Sequence, residues 1–389
     1  MATFAAGLPP TVIVLTLYAL SRLWSSLLLT AGLALAPRPP GIARDGVALD
    51  GFFDLTGSVW DAWYYRDIAQ HGYGTELPHD ADGAVTGNSW AFLPVFAVLA
   101  RTAATLLASD YSVGAVVVAT LAGGAASLVL FMLLEPSIGR TRSLWAVAAF
   151  AFGPMGFVLQ VGYAESLFLF SFFAGALAMR RHRYWVMLPF MLLGAFTRPG
   201  MVALTLALAL HGLLRLVRRD GIRVPDVVAI AVVGCTSAAA GLAWPVVVGA
   251  VTGDPDGYLQ TEMAWWRQVV PGVDHFVPLS PWFLMGSKVA GPAGIVLVLA
   301  GVAIACWFLL GRGRRELGSD VLATVSSYAL YLFAVFLPQQ STLRLLLPVS
   351  PLLGARMFTA SRARRVLTVS SGALLQPVTI TLLWVVSYP

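Results

Sequence analysis

Apolar residues dominate the chain in long blocks, and the polar residues come in short clusters between them. Blocks of about 20 apolar residues cross a bilayer as helices, and shorter ones cross only when paired or tilted. On this pattern crossings are expected at 9–35, 112–134, 143–159, 163–179, 184–196, 200–216, 226–251, 291–311, 319–337, 345–359 and 366–386. That is about eleven transmembrane helices in one all-α integral membrane domain spanning residues 1–389. The segment 90–107 is also apolar, but it is short, is broken by Pro94 and carries Arg101, so it is expected to lie in the interface rather than cross. The first block resembles a cleavable leader only at Ala34-Leu35-Ala36, where Pro37 would make a poor cleavage site, and it is read as a span.

Composition agrees with the pattern. Of 389 residues 58% are hydrophobic and only 11% charged, too few charges to wet the surface of a water-soluble body of this size. Cys235 and Cys306 fall inside apolar blocks, where a small buried thiol is the ordinary expectation. The formal charge of +6 comes with 25 basic residues of which Lys288 alone is a lysine, a usage that suggests a GC-rich bacterial genome and not a nucleic-acid partner.

The charges are sorted along the chain. Arg180, Arg181 and Arg183, then Arg215, Arg218, Arg219 and Arg223, then Arg312, Arg314 and Arg315, then Arg362, Arg364 and Arg365 fall in short connections, and the positive-inside rule places these in the cytoplasm. Acids prevail at 37–111 and again at 252–290, so these are expected to be two outer loops sharing one face, with the amino end inside and the carboxyl end outside. The non-spanning assignment of 90–107 is what keeps every later basic cluster inside. The turn Thr197-Arg198-Pro199-Gly200 joins two short apolar helices, an arrangement expected to line a cavity because irregular backbone at that depth needs protein or water around it.

The stretch Val59 to Gly74 holds the densest chemistry. In a helix starting near Trp60, Asp61 shares a face with Tyr64 and Tyr65, setting a carboxylate among aromatic rings at the membrane surface. Asp61 could equally cap that helix. Asp67 and His71 stand one turn apart, but one carboxylate and one imidazole are too few to hold a metal, and no metal or other cofactor is expected. Trp90, Trp145, Trp265 and Trp266 fit an interfacial aromatic belt, and the last two also fit an acceptor platform. Glu165 opens an apolar helix, where a charge needs a partner, a cap or a ligand. Arg22 lies near the middle of the first block and requires a buried partner that the sequence does not identify.

These residues resemble the PIG-V mannosyltransferases, a family related to the second mannosyltransferase of GPI-anchor assembly. The resemblance runs through Trp60-Asp61, Trp63-Tyr64, Ile68-Ala69, Gly72-Tyr73 and Phe92-Leu93-Pro94 to Arg101. It continues in Gly162-Tyr163-Ala164-Glu165-Ser166, in Phe196-Thr197-Arg198-Pro199-Gly200 and in Arg344-Leu345-Leu346-Leu347-Pro348, with no shared motif between Arg215 and Tyr328. Where the family has Phe-Phe-Pro-Leu, this chain has Phe92-Leu93-Pro94-Val95.

The resemblance implies a GT-C fold, with a large first extracytoplasmic loop carrying interfacial helices. It further implies an inverting transfer of mannose from polyprenyl-phosphate-mannose to a hydroxyl of a lipid, glycan or protein acceptor at the outer face of a bacterial plasma membrane. Asp61 would be the base. Trp60, Tyr64, Tyr65, His71, Tyr163, Glu165, Arg198, Gln340 and Arg344 would contact substrates, the two arginines neutralising the phosphate leaving group. Each arginine could instead reach lipid headgroups. Two other classes fit the spans: a flippase for a lipid-linked sugar, which needs no carboxylate in an outer loop, and a non-catalytic subunit working beside a partner chain. Besides its substrates the protein is expected to contact membrane lipids.

Overall fold

The computed structural model describes residues 8–35 and 51–386, so the first part of the expected outer loop, 37–50, and the Ala36-Pro37 junction lie outside the described residues. Among the described residues the fold is all helical, with one isolated bridge between His79 and Val85. The helices are α1 (Pro10–Leu35), α2 (Phe52–Gly57), α3 (Asp61–His71), α4 (Pro94–Leu106), α5 (Tyr111–Ile138), α6 (Arg140–Ala151), α7 (Glu165–Arg180), α8 (Tyr184–Ala195) and α9 (Val202–Arg218). They continue as α10 (Val224–Thr252), α11 (Gly257–Val269), α12 (Pro281–Trp307), α13 (Arg314–Leu317), α14 (Ser319–Val335), α15 (Thr342–Leu345), α16 (Arg356–Thr359) and α17 (Arg362–Ile380).

Five of the described helices are long and apolar enough to cross a membrane alone: Pro10–Gly32, Tyr111–Ile138, Val224–Thr252, Pro281–Gly311 and Arg362–Trp384. The others are shorter or broken, and proline and glycine explain the departures from the expected pattern. The block 143–159 ends its α-helix at Ala151, turns at Gly153-Pro154 and resumes as a 3₁₀ turn over Gly156–Leu159. The block 345–359 is not a regular helix: Leu347–Gly354 is 3₁₀, with Pro348 and Pro351 each removing an amide donor. α12 starts ten residues before the expected 291 and is kinked at Ala290 and Gly291, just ahead of Pro292. α4 has 13 residues, about 20 Å, which is short of the hydrocarbon thickness.

The core lies where α5, α6 and α7 pack with α1, α9, α14 and the 3₁₀ segment, with Phe150, Phe157, Phe172, Leu130 and Leu134 fully buried. Arg22 finds its partners there. Its guanidinium donates to the carbonyls of Gly156 (2.7 Å) and Ala151 (3.0 Å), which the break after α6 has freed, and lies 4.8 Å from the Tyr18 ring centroid. Several basic residues tie helices together at the end of the bundle farthest from Asp61. Arg180 donates to Leu133 O and Ser137, Arg142 to Gly354 O and Thr359, and Arg215 to Tyr184. The side chains of 312–315 lie outside the described set.

The two acid-rich stretches meet. α11 packs over the segment 77–92, where Asn88 donates to Thr261 Oγ1 at 3.0 Å and Arg267 to Val85 O at 2.5 Å. Trp90 is 4% exposed, stacks on Tyr73 with centroids 4.4 Å apart, and donates to Gly74 O, so it is a packing residue and not part of an exposed belt.

Candidate active site

The site forms where the start of α3, the start of α7, the turn after α8 and the short α15 converge. α2 docks first. Gly57 lies so close to α5 that a Cβ there would sit 2.6 Å from Ser112 O, and Gly162 N–H donates to Thr56 O at 2.6 Å. Trp60 then takes φ 55°, a left-handed conformation that costs a bulky residue on the order of 1–3 kcal/mol and is held here by its indole donating to Trp384 O at 3.2 Å. The turn starts α3 at Asp61.

Asp61 is the first residue of α3, preceded by Trp60 as N-cap, and the helix has no side-chain cap bond. The capping alternative therefore does not account for it. Its Oδ2 accepts from Arg344 Nη2 at 2.5 Å, and its own amide donates to the Tyr163 hydroxyl at 3.3 Å. Arg344 Nη1 reaches Glu165 Oε1 at 3.1 Å, and Arg198 pairs with the same oxygen. The Arg344 guanidinium also lies over the Tyr163 ring, 5.0 Å from its centroid. Two carboxylates and two guanidiniums thus alternate as Asp61, Arg344, Glu165 and Arg198.

Both arginines face inward. Glu165 and Arg344 are buried, and the Arg198 side chain is 17% exposed, so neither arginine extends toward lipid headgroups in this conformation. Arg344 Nε is buried without a hydrogen-bond partner among the described residues. Withdrawal from water pushes the Asp61 carboxyl above the ordinary carboxylate range, with Arg344 pulling it back and Glu165 adding to the rise. A carboxylate so placed holds a proton more readily than a solvated one.

A cavity of about 350 Å³ opens beside the quartet. Asp61, Tyr65, Arg198 and Arg344 line one side; Tyr258, Glu262 and Trp265 of α11 form another; Tyr328 and Tyr331 of α14 and Gln339 complete it. The turn after α8 contributes both Arg198 and Pro199, the cavity-lining role expected of two short helices meeting there. Gly200 adopts φ 116° against Tyr331 and Tyr328, a conformation that favours glycine.

The residues singled out from the sequence separate into three groups. Asp61, Tyr163, Glu165, Arg198 and Arg344 form the quartet and its ring, and Tyr65 lines the cavity. Tyr64 stands behind them, stacked on Phe92 at 4.5 Å and edge-on to Trp265 at 5.8 Å, and Trp60 anchors the turn. His71 sits at the other end of α3, 72% exposed and paired with Asp67 at 3.0 Å, away from the cavity; Gln339 rather than Gln340 is on its wall. No group of three His, Cys, Asp or Glu side chains converges as a metal site among the described residues.

Glu262 was not distinguished by the sequence beyond its charge. It lies one turn after Tyr258, and burial pushes its carboxyl from the ordinary 4.5 up to about 7, while Tyr258 and Arg198 lower it and Asp61 raises it. The usable signal was the Tyr258, Glu262, Trp265 spacing along one face of a helix in an acidic loop.

No family model matches the chain, and no curated protein matches it. Solved structures similar to it include the crystal structure of ArnT from Cupriavidus metallidurans bound to undecaprenyl phosphate, with a TM-score of 0.46 and 14% identity. The same protein in the apo state gives a TM-score of 0.43 at 14% identity. Each match covers 92% of this chain and 59% of the ArnT chain, so this chain spans less than two thirds of the structures it matches.

Proposed function

We propose that the protein is an inverting GT-C glycosyltransferase that moves a mannosyl residue from polyprenyl-phosphate-mannose to an acceptor hydroxyl at the outer face of a bacterial plasma membrane. The observation that carries the reading is the alternating quartet beside a cavity: a carboxylate with a raised proton affinity next to two guanidiniums, Arg344 buried and Arg198 half-buried. The mannosyl donor comes from the motif resemblance.

In this reading the acceptor oxygen attacks the anomeric carbon as Asp61 takes its proton. The bond between that carbon and the phosphate oxygen breaks, its electron pair stays on the phosphate, and Arg344 and Arg198 meet the growing negative charge. Inversion turns a β-linked sugar phosphate into an α-glycoside. Glu165 holds both arginines level with the phosphate. Its charge and that of Asp61 balance the two guanidiniums in the empty site, which reduces their repulsion before substrate arrives. The arginines supply the positive charge that a monophosphate leaving group needs, so no metal enters the proposal.

A transferase test uses the purified chain with polyprenyl-phosphate-[³H]mannose and extracted envelope glycolipids as acceptors. Label should move into a glycolipid as an α-mannoside; retention of all label on the donor under every acceptor condition sinks the proposal.

A further inference from the structure

One wall of the cavity belongs to α11, and none of the motifs in the resemblance lies on it. Tyr258, Glu262 and Trp265 project from one face of this helix into the cavity. Behind them α11 is fixed to the outer loop: Asn88 bonds Thr261 at 3.0 Å, and a Cβ on Gly87 would come within 2.9 Å of the Trp265 ring, so the indole rests against loop backbone. The wall is therefore built and held in place before any ligand arrives.

We infer that this α11 face is the acceptor subsite and that the acceptor group it takes is a sugar ring, with Trp265 covering an apolar ring face and Glu262 hydrogen-bonding a hydroxyl. The inference rests on the transferase reading and adds to it the class of the acceptor. An aromatic face suits the C–H face of a pyranose, and a flanking acid suits its hydroxyls. A peptide side-chain hydroxyl or a simple alcohol would leave Glu262 without a ligand partner in a space shielded from water, and sites built to bond a hydroxyl discriminate strongly against ligands that lack it. The cavity volume of about 350 Å³ falls within the range of small-molecule sites, about 300–1,000 Å³. The raised proton affinity of Glu262 adds that part of the carboxyl population meets the sugar protonated near neutral pH, as a donor and an acceptor together.

That last point makes the amide the natural replacement. The test uses the purified full chain, polyprenyl-phosphate-[³H]mannose, and four probe acceptors: the octyl glycosides of mannose and glucose, 1-octanol, and a serine-containing peptide. At least one octyl glycoside should be mannosylated while octanol and the peptide are not. Glu262→Gln should keep KM for that glycoside within about threefold. Glu262→Leu should raise it about 10-fold to 100-fold, the range of one or two lost hydrogen bonds. Trp265→Ala, which removes no charge, should raise the same KM about tenfold and keeps the test informative if Glu262→Leu folds poorly. Equal use of octanol or the peptide overturns the inference, and so does a glycoside KM that ignores both Glu262→Leu and Trp265→Ala, or a Gln variant as impaired as the Leu variant. Complete absence of donor turnover, to water as well as to all four probes, removes the transferase reading itself and the subsite with it.

Discussion

Replacing Arg344 with Gln perturbs the quartet at its centre. Among the described residues Arg344 bridges both carboxylates, Asp61 at 2.5 Å and Glu165 at 3.1 Å, and it is 7% exposed. Two effects follow. Loss of the guanidinium removes a donor from the charge that develops on the leaving phosphate, and removal of a single such donor typically costs about 2.7–4 kcal/mol, or about 100-fold to 1,000-fold in kcat. Loss of its positive charge also leaves Asp61 facing Glu165 with less compensation, so the Asp61 carboxyl, already above the ordinary range, rises further. The sign is fixed: the base is active when deprotonated, so the acid limb of the kcat/KM profile moves to higher pH. Breaking a buried pair costs up to about 3–5 kcal/mol of stability, softened here because Arg198 remains on Glu165. Arg344→Lys keeps the charge but cannot fork between two carboxylates, and falls between wild type and Gln. The assay is transfer from polyprenyl-phosphate-[³H]mannose between pH 5 and 9, with thermal unfolding measured on the same samples. A Gln variant with wild-type kcat and an unmoved acid limb refutes the role given to Arg344.

Gly57→Ala places a Cβ 2.6 Å from Ser112 O and 2.7 Å from Ser112 Cα, both backbone, so α2 must shift; overpacking of this kind costs about 1–3 kcal/mol and should appear as a lower unfolding temperature together with weakened activity. Raising the pH through about 7 ionises Glu262, whose surroundings are Tyr258 on its own helix, Arg198 after α8, Asp61 on α3 and Tyr331 on α14. KM for a sugar acceptor should climb along that limb, and Glu262→Gln should flatten the climb; an identical limb in the Gln variant contradicts the assignment.

Much of the framework was legible because uniform apolarity needs no tertiary information. α1, α5 and α10 begin and end within a few residues of the expected blocks. The failures have local causes. Apolarity alone read 345–359 as a crossing helix, whereas Pro348 and Pro351 withhold the amides a continuous α-helix requires and yield a 3₁₀ segment. The quartet was legible for a different reason: Glu165, Arg198 and Arg344 are charges adjoining apolar helices, where a partner is obligatory, and Asp61 was singled out by the motif resemblance. Which carboxylate met which arginine was not legible, since it depends on how far α2 sinks against α5. Arg22 shows the limit most clearly, because its partners are backbone carbonyls at the break that follows α6 and no side chain announces them. Glu262 escaped notice because a carboxylate in an acidic loop looks solvated until the cavity beneath it is known.

Asp61→Asn offers the most direct measurement. Asn keeps the size of the side chain and can still accept from Arg344, but it cannot take a proton. Transfer from polyprenyl-phosphate-[³H]mannose by the purified variant should fall about 100-fold to 10,000-fold while the protein remains folded and still binds the donor. Turnover equal to wild type would contradict the assignment of Asp61 as the base.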